Sequence, residues 1–186
     1  MTLQAKVESG QVGQGLETEL AAFWQAKQAE ISHLLARTIE LGRMLQTKYA
    51  LSPAPPPAPP PGFVLCHADI HLFNLLVDRV GRLFVVDWDE TLLAPKERDL
   101  MFVGGPGSGR EQGLFYQGYG PAEIDRLALA YYRYEWVIQE IGDFGRRVFS
   151  HPELGRDSKA AAVEGFMALF QPGDVVEAAY QADGSD

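Results

Sequence analysis

Apolar residues recur near a 3.6-residue period from Leu16 to Ala50: Leu20, Trp24, Ile31, Leu35, Ile39, Leu45 and Tyr49, with no proline between. This stripe predicts one long helix, or two, with a break expected at Lys27-Gln28 or at Gly42. Pro53 to Pro61 follows, nine residues with seven prolines. Fixed φ angles and missing amide donors exclude helix there and predict a stiff polyproline II spacer. Three short apolar runs come next, Phe63–Cys66, Leu75–Val77 and Leu83–Val86. The last two flank Asp78-Arg79-Val80-Gly81-Arg82, whose Asp and Gly predict a hairpin. A turn centred near Val80 and Gly81 sets Asn74 opposite Asp87. Beyond Glu90 the pattern reads as helical again. Pro121 suits a first helical position, and Ile124, Leu127, Ala128, Tyr131, Glu135, Ile138 and Ile141 trace a face ending before Gly142. Another helix is expected over Ser158–Phe170, stopped by Pro172 and Gly173. Residues 1–15 and 181–186 read as loose. Strands in the middle with helices on both flanks predict an α+β fold, mostly helical, with a small antiparallel ribbon.

Composition narrows the function classes. The chain has 186 residues, 46% apolar and 22% charged, enough for one globular domain with a core. No run approaches the ~20 apolar residues of a membrane helix, and Met1 to Gly10 lacks the apolar stretch of a secretory signal. The single cysteine, Cys66, cannot form an internal disulfide, which fits a reducing cytoplasm, and it reads as a small buried apolar residue. A net charge of −9 leaves no phosphate-neutralising excess, so nucleic acid is not an expected partner. A cationic small substrate is compatible with that charge.

The chemistry concentrates in Leu65 to Asp99, LCHADIHLFNLLVDRVGRLFVVDWDETLLAPKERD. Ionisable groups at the ends of apolar strands need compensation. His67, Asp69, His71, Asn74, Asp87 and Asp89 therefore require an explanation. Asn74 and Asp87 at one end of a hairpin, with Asp69 just before, make an oxygen-rich set suited to a hard cation such as Mg²⁺. One carboxylate remains to accept a proton from a hydroxyl. Phosphoryl transfer divides labour in that way. A metal-dependent hydrolase is an alternative: a strand continuing past Cys66 would turn His67, Asp69 and His71 to one face as Zn²⁺ ligands.

The spaced set His67-x-Asp69-x-His71-x-x-Asn74, then a hairpin and Asp87-Trp88-Asp89, resembles the catalytic and metal loops of the aminoglycoside phosphotransferases, relatives of protein kinases. The runs VDWDETLLAPKERDLMF, FYQGYG and LALAYYRYEW are similar to the spectinomycin-type branch. The resemblance extends over about residues 16–183. It implies a C-terminal kinase-like lobe over 16–183 that transfers the γ-phosphate of ATP to a hydroxyl of an aminoglycoside-like molecule. It implies Asp69 as the catalytic base and Asn74 and Asp87 as Mg²⁺ ligands. It also implies His67 as a brace for the loop, with His71, Asp89 and Asp99 in support.

The same resemblance marks a departure. The family carries a strand-rich N-terminal lobe with a nucleotide-covering loop. Only 66 residues precede His67, and they hold a helix and the 53–61 linker. A five-stranded sheet needs roughly 50–60 residues before any helix is counted. The N-terminal nucleotide lobe is therefore expected to be absent, supplied by a separate polypeptide or lost by truncation. A non-enzymatic binding module is the reading if the lobe is inactive. Two look-alike motifs are set aside. Asp143-Phe144-Gly145 follows a helix and reads as its C-terminal turn. Gly104 to Arg110, GGPGSGR, lacks the Lys and Ser/Thr of a P-loop and reads as a flexible loop.

Overall fold

The computed structural model describes Val7, residues 13–50 and residues 59–184. Residues 53–58 of the expected spacer, and most of the N-terminal segment, lie outside the described residues. The chain divides into two compact units, Met1–Glu40 with Arg133–Asp186, and Leu41–Tyr132.

The first unit is helical. Helix α1 (Leu16–Ala26) ends where the polar Lys27 interrupts the stripe, and α2 (Gln28–Ala50) starts at the next residue. The Lys27 amide closes α1 on the carbonyls of Phe23 and Trp24, while its own carbonyl accepts from Ile31. Of α2 the unit holds the part up to Glu40; the part of α5 (Arg126–Phe149) from Arg133 on, α6 (Arg156–Ala168) and α7 (Val175–Asp183) complete it. Leu20, Leu34, Val137, Val148, Phe166 and Ala179 are buried. The Trp24 and Phe166 rings stack with centroids 5.4 Å apart.

Several expectations are corrected here. Helix α5 does not stop before Gly142 but runs to Phe149, so Asp143-Phe144-Gly145 lies inside a helix, not in a terminal turn. Its phenylalanine packs where a Cβ on Gly165 of α6 would sit 2.6 Å from the ring, a close approach that only glycine allows. Asp143 pairs with Arg147 one turn on, at 2.7 Å. Residues 181–183 are helical rather than frayed. They are held by Asp183, whose carboxylate takes two bonds from Arg37, from Nε at 2.8 Å and from an Nη at 2.7 Å. Tyr134 adds its hydroxyl at 3.4 Å. The paired carboxylate raises the Arg37 pKa further. The bidentate geometry and an Asp183 side chain only 9% exposed make this pair stronger than an ordinary surface bridge. Arg37→Ala is expected to cost about 1–3 kcal/mol in urea unfolding, through the buried carboxylate left without its partner.

The second unit carries the strands. β1 (Phe63–Cys66) pairs antiparallel with β4 (Leu92–Pro95), and β2 (Leu75–Val77) with β3 (Leu83–Val85). β4 corrects the expectation of helix beyond Glu90. Leu92-Leu93-Ala94 is a short apolar run, and Pro95 falls at the ladder end opposite Phe63, where its missing donor costs little. The β2–β3 register is also one step from the expected one. Leu75 faces Val85, which sets Val86 rather than Asp87 opposite Asn74. The turn causes the shift. Asp78 and Arg82 close a loop of three residues, with Gly81 at φ 83°. The Asp78 side chain accepts from the Val80 and Arg82 amides and from Arg82 Nε, and the Arg82 bonds above all hold its pKa below the usual range.

A single-turn helix α3 (Glu97–Leu100) and α4 (Gly109–Tyr119) follow. The last two residues of GGPGSGR thus open a helix instead of remaining loop. α5 begins at Arg126, not at Pro121, because Asp125 is the better cap and accepts from the Leu127 and Ala128 amides. Gly42 does not break α2. A Cβ there would lie 3.0 Å from the Tyr131 ring, so the glycine serves a close contact inside a continuous helix.

Candidate active site

The loop after β1 is built around one carboxylate. Asp99, in α3, accepts from the His67 amide at 2.9 Å and from the Ala68 amide at 2.7 Å. Ala68 is buried with φ 70°, a left-handed conformation unusual for a residue with a Cβ. Asp87, at φ 64°, is the other described non-glycine residue in that region. Strain of this kind persists where surrounding bonds over-determine it, and it clusters at functional sites.

His67 is buried, and both ring nitrogens are committed. Nε2 donates to the Val86 carbonyl at 2.8 Å, and Nδ1 accepts from the Asp69 amide at 3.3 Å. The Trp88 ring lies 4.7 Å from it, and the Trp88 indole donates to the Val85 carbonyl. β1 ends at Cys66 and Ala68 turns left-handed, so the strand does not continue through His67, Asp69 and His71. The zinc alternative is corrected on both grounds, and no group of three or more potential metal-binding side chains is found among the described residues.

Asp69 and Asn74 form a clamp. The Asn74 amide nitrogen donates to the Asp69 carbonyl at 2.8 Å and to its Oδ2 at 3.0 Å. His71 Nε2 stands 3.5 Å from the same Oδ2, and its Nδ1 accepts from the Phe73 amide, capping the short 3₁₀ turn Leu72–Asn74. The Asn74 carbonyl accepts from the Val86 amide. Val86 therefore bonds both Asn74 and His67 and fixes the backbone immediately before Asp87. Asp87 and Asp89 are exposed, and Asp89 sits in the tight turn that Thr91 closes on the Trp88 carbonyl. The structure thus brings together His67, Asp69, His71, Asn74 and Asp99 by direct contact, and Asp87 by chain continuity. With its nitrogen turned to Asp69, Asn74 has its carbonyl oxygen left to offer. That oxygen and the Asp87 carboxylate are hard donors that fit Mg²⁺.

Trp88 and Glu97 escaped the sequence reading. Trp88 stood inside the quoted Asp-Trp-Asp. Glu97 is buried, pairs with Lys96 at 2.7 Å and accepts from the Asp125 amide at 2.9 Å, tying α3 to the start of α5. Its one signal was an acid beside a lysine at the end of an apolar strand.

Residues 7–137 match the model of the phosphotransferase enzyme family, APH. The chain belongs to this family. The spectinomycin phosphotransferase APH(9)-Ia, solved with ADP and spectinomycin, is 30% identical with a TM-score of 0.72, covering 97% of this chain and 55% of that one. Its AMP-bound complex is 32% identical with a TM-score of 0.69, covering 95% and 54%. The chain thus spans about half the length of these phosphotransferases. No curated protein matches significantly. The helical build with small antiparallel ribbons is that of the C-terminal portion of a kinase-like fold. Among the described residues, no helix is long and apolar enough to cross a membrane.

Cys66 directly precedes His67 but is fully buried, and burial pushes its thiol up to about 11. Alkylation by iodoacetamide at pH 8 is expected to be at least ~100-fold slower in the native chain than in urea, because thiolate is the reactive form. Comparable rates would place the thiol in an open site.

Proposed function

We propose that this chain is the catalytic lobe of an ATP-dependent phosphotransferase acting on a hydroxyl of a small, aminoglycoside-like molecule. The Asn74–Asp69 clamp carries this reading. Both side-chain contacts of the Asp69 carboxylate fall on Oδ2. Oδ1 is left to accept the proton of the substrate hydroxyl. The hydroxyl oxygen then bonds to the γ-phosphorus, the bond from that phosphorus to its bridging oxygen breaks, and ADP departs. Asp69 holds the proton until solvent takes it. Mg²⁺, when held by Asn74 and Asp87, neutralises charge on the phosphates.

The remaining residues position these groups. Asp99 fixes the loop backbone, His67 ties that loop to Val86, and His71 caps the turn leading to Asn74. Asp89 adds negative charge beside Asp87, where a cationic substrate is favoured. APH(9)-Ia with bound spectinomycin makes that compound the first substrate to test. The nucleotide-covering lobe comes from a second polypeptide or from sequence outside this chain, and a cytoplasmic location supplies the ATP.

Calorimetric titration tests the ligand assignment. With the complementary lobe present, Asn74→Ala and Asp87→Ala are expected to weaken Mg²⁺-dependent ADP binding at least ~10-fold. Unchanged Mg²⁺ dependence in both variants would remove these residues from the metal site. ADP bound only without Mg²⁺ would favour a binding module.

A further inference from the structure

The unit Leu41–Tyr132 holds a cavity of about 400 Å³ that the candidate site does not use. Three stretches wall it. The end of α2 supplies Gln46 and Tyr49, the start of β1 supplies Phe63, and α5 supplies Tyr131 and Tyr132. Gly42 also lines it, and its missing side chain lets the Tyr131 ring lie against α2. The Tyr49 and Phe63 rings meet edge to face at 4.8 Å, and those of Tyr131 and Tyr132 at 5.1 Å. Small-molecule sites are concave, mostly apolar and about 300–1,000 Å³ in volume. Rings favour flat partners, stacked or edge-on. Among the described residues, no charged side chain lines the cavity. Lys48, beside Tyr49, is paired with Asp125. Burial, and then the charges of Asp125 and Glu97, push the Tyr49 hydroxyl up to about 12, so it is neutral at pH 7. The Arg98 guanidinium, 5.8 Å from the Tyr132 ring, repels a second cation there. A charged ligand would give up its water in this cavity and gain no opposite charge. The phosphates of a nucleotide are excluded by the same argument.

We propose that this cavity binds a flat, uncharged ring molecule carrying a hydrogen-bonding group, and that its occupancy steadies the loop of the candidate site. The Gln46 amide, on the exposed edge, meets that group. The link to the loop runs through α3. Arg98 lies over Tyr132. The Tyr49 hydroxyl donates to Asp125 Oδ2 at 3.4 Å, and the Asp125 amide donates to Glu97 at 2.9 Å. Glu97 and Arg98 directly precede Asp99, the acceptor for the His67 and Ala68 amides. Phe63 opens the strand that ends at Cys66, next to His67. A ligand that binds only this arrangement lowers the population of openings that break it. That the steadied loop is catalytic rests on the phosphotransferase reading; the binding and the steadying do not.

The test titrates the full chain with 2-naphthol at pH 7, followed by calorimetry and by amide chemical shifts. Saturable binding at about 1 mM or tighter is expected. Naphthalene-2-sulfonate and 2-naphthylmethylammonium, the same rings with a charge, are expected to bind at least ~10-fold more weakly. Gln46→Trp fills the cavity from an exposed position and is expected to weaken 2-naphthol at least ~10-fold. Thr47→Trp, also exposed but outside the lining, is expected to leave it unchanged. Thermal melts confirm that each variant is folded. With 2-naphthol at about nine times its Kd, hydrogen exchange of the His67 and Ala68 amides is expected to slow by up to ~10-fold, the factor 1 + [L]/Kd. No saturable binding, equal binding of a charged probe, or binding indifferent to Gln46→Trp overturns the site. Binding with unchanged exchange at His67 and Ala68 overturns its link to the loop. The expected pattern without phosphoryl transfer, even with the complementary lobe present, upholds the inference and removes the phosphotransferase reading.

Discussion

Asp69→Asn is expected to lower phosphoryl transfer from ATP to spectinomycin by about 10²–10⁴-fold, the usual contribution of a positioned general base. The substitution is nearly isosteric. A side-chain oxygen remains to accept from Asn74, and the backbone bond from Asn74 to the residue 69 carbonyl is untouched. The thermal midpoint should therefore stay within a degree or two. KM should change little, since the carboxylate is assigned to proton transfer rather than to substrate affinity. The check is steady-state kcat and KM beside a melting curve on the same preparation. A variant that loses activity only because it melts early would return Asp69 to a structural role.

The second large effect is on stability. Asp99→Ala is expected to destabilise the chain by about 2–5 kcal/mol, because it strips two loop amides of one charged acceptor. The amides belong to His67 and Ala68, both buried, and Ala68 is held at φ 70°. Without the carboxylate the loop relaxes toward ordinary backbone angles, and the Asp69–Asn74 clamp loses its fixed base. Asp99→Asn keeps one acceptor oxygen and should fall between wild type and Asp99→Ala. The urea midpoints of the three proteins, at constant slope, measure the effect. Equal midpoints would show that the loop conformation has another source.

The legibility of the chain follows from where each structural cause lies. The α1–α2 break at Lys27 was readable because a local polar interruption ends a hydrophobic stripe. β1, β2 and β3 were readable as short apolar runs between turn residues. The failures are tertiary. Gly42 and Gly142 looked like helix breakers, yet both lie inside continuous helices, and at Gly42 the close Tyr131 ring accounts for the glycine. β4 lacks alternation and is defined only by its partner β1. The one-residue register error at Asn74 came from the turn, where Asp78 and Arg82 pair around three residues and not four. Within the candidate site, the residue types and their spacing were visible in His67, Asp69, His71 and Asn74. What sequence could not show is how they are held: Asp99 reaching back to two amides, and Val86 bridging His67 to Asn74 through its backbone alone.

The most direct measurement is single-turnover transfer of the γ-phosphate of labelled ATP to spectinomycin, by this chain complexed with a polypeptide equivalent to the unspanned half of APH(9)-Ia. The account predicts labelled spectinomycin with the wild-type chain and almost none with Asp69→Asn. A nucleotide-bound complex that labels no hydroxyl compound, or equal labelling by Asp69→Asn, would contradict it.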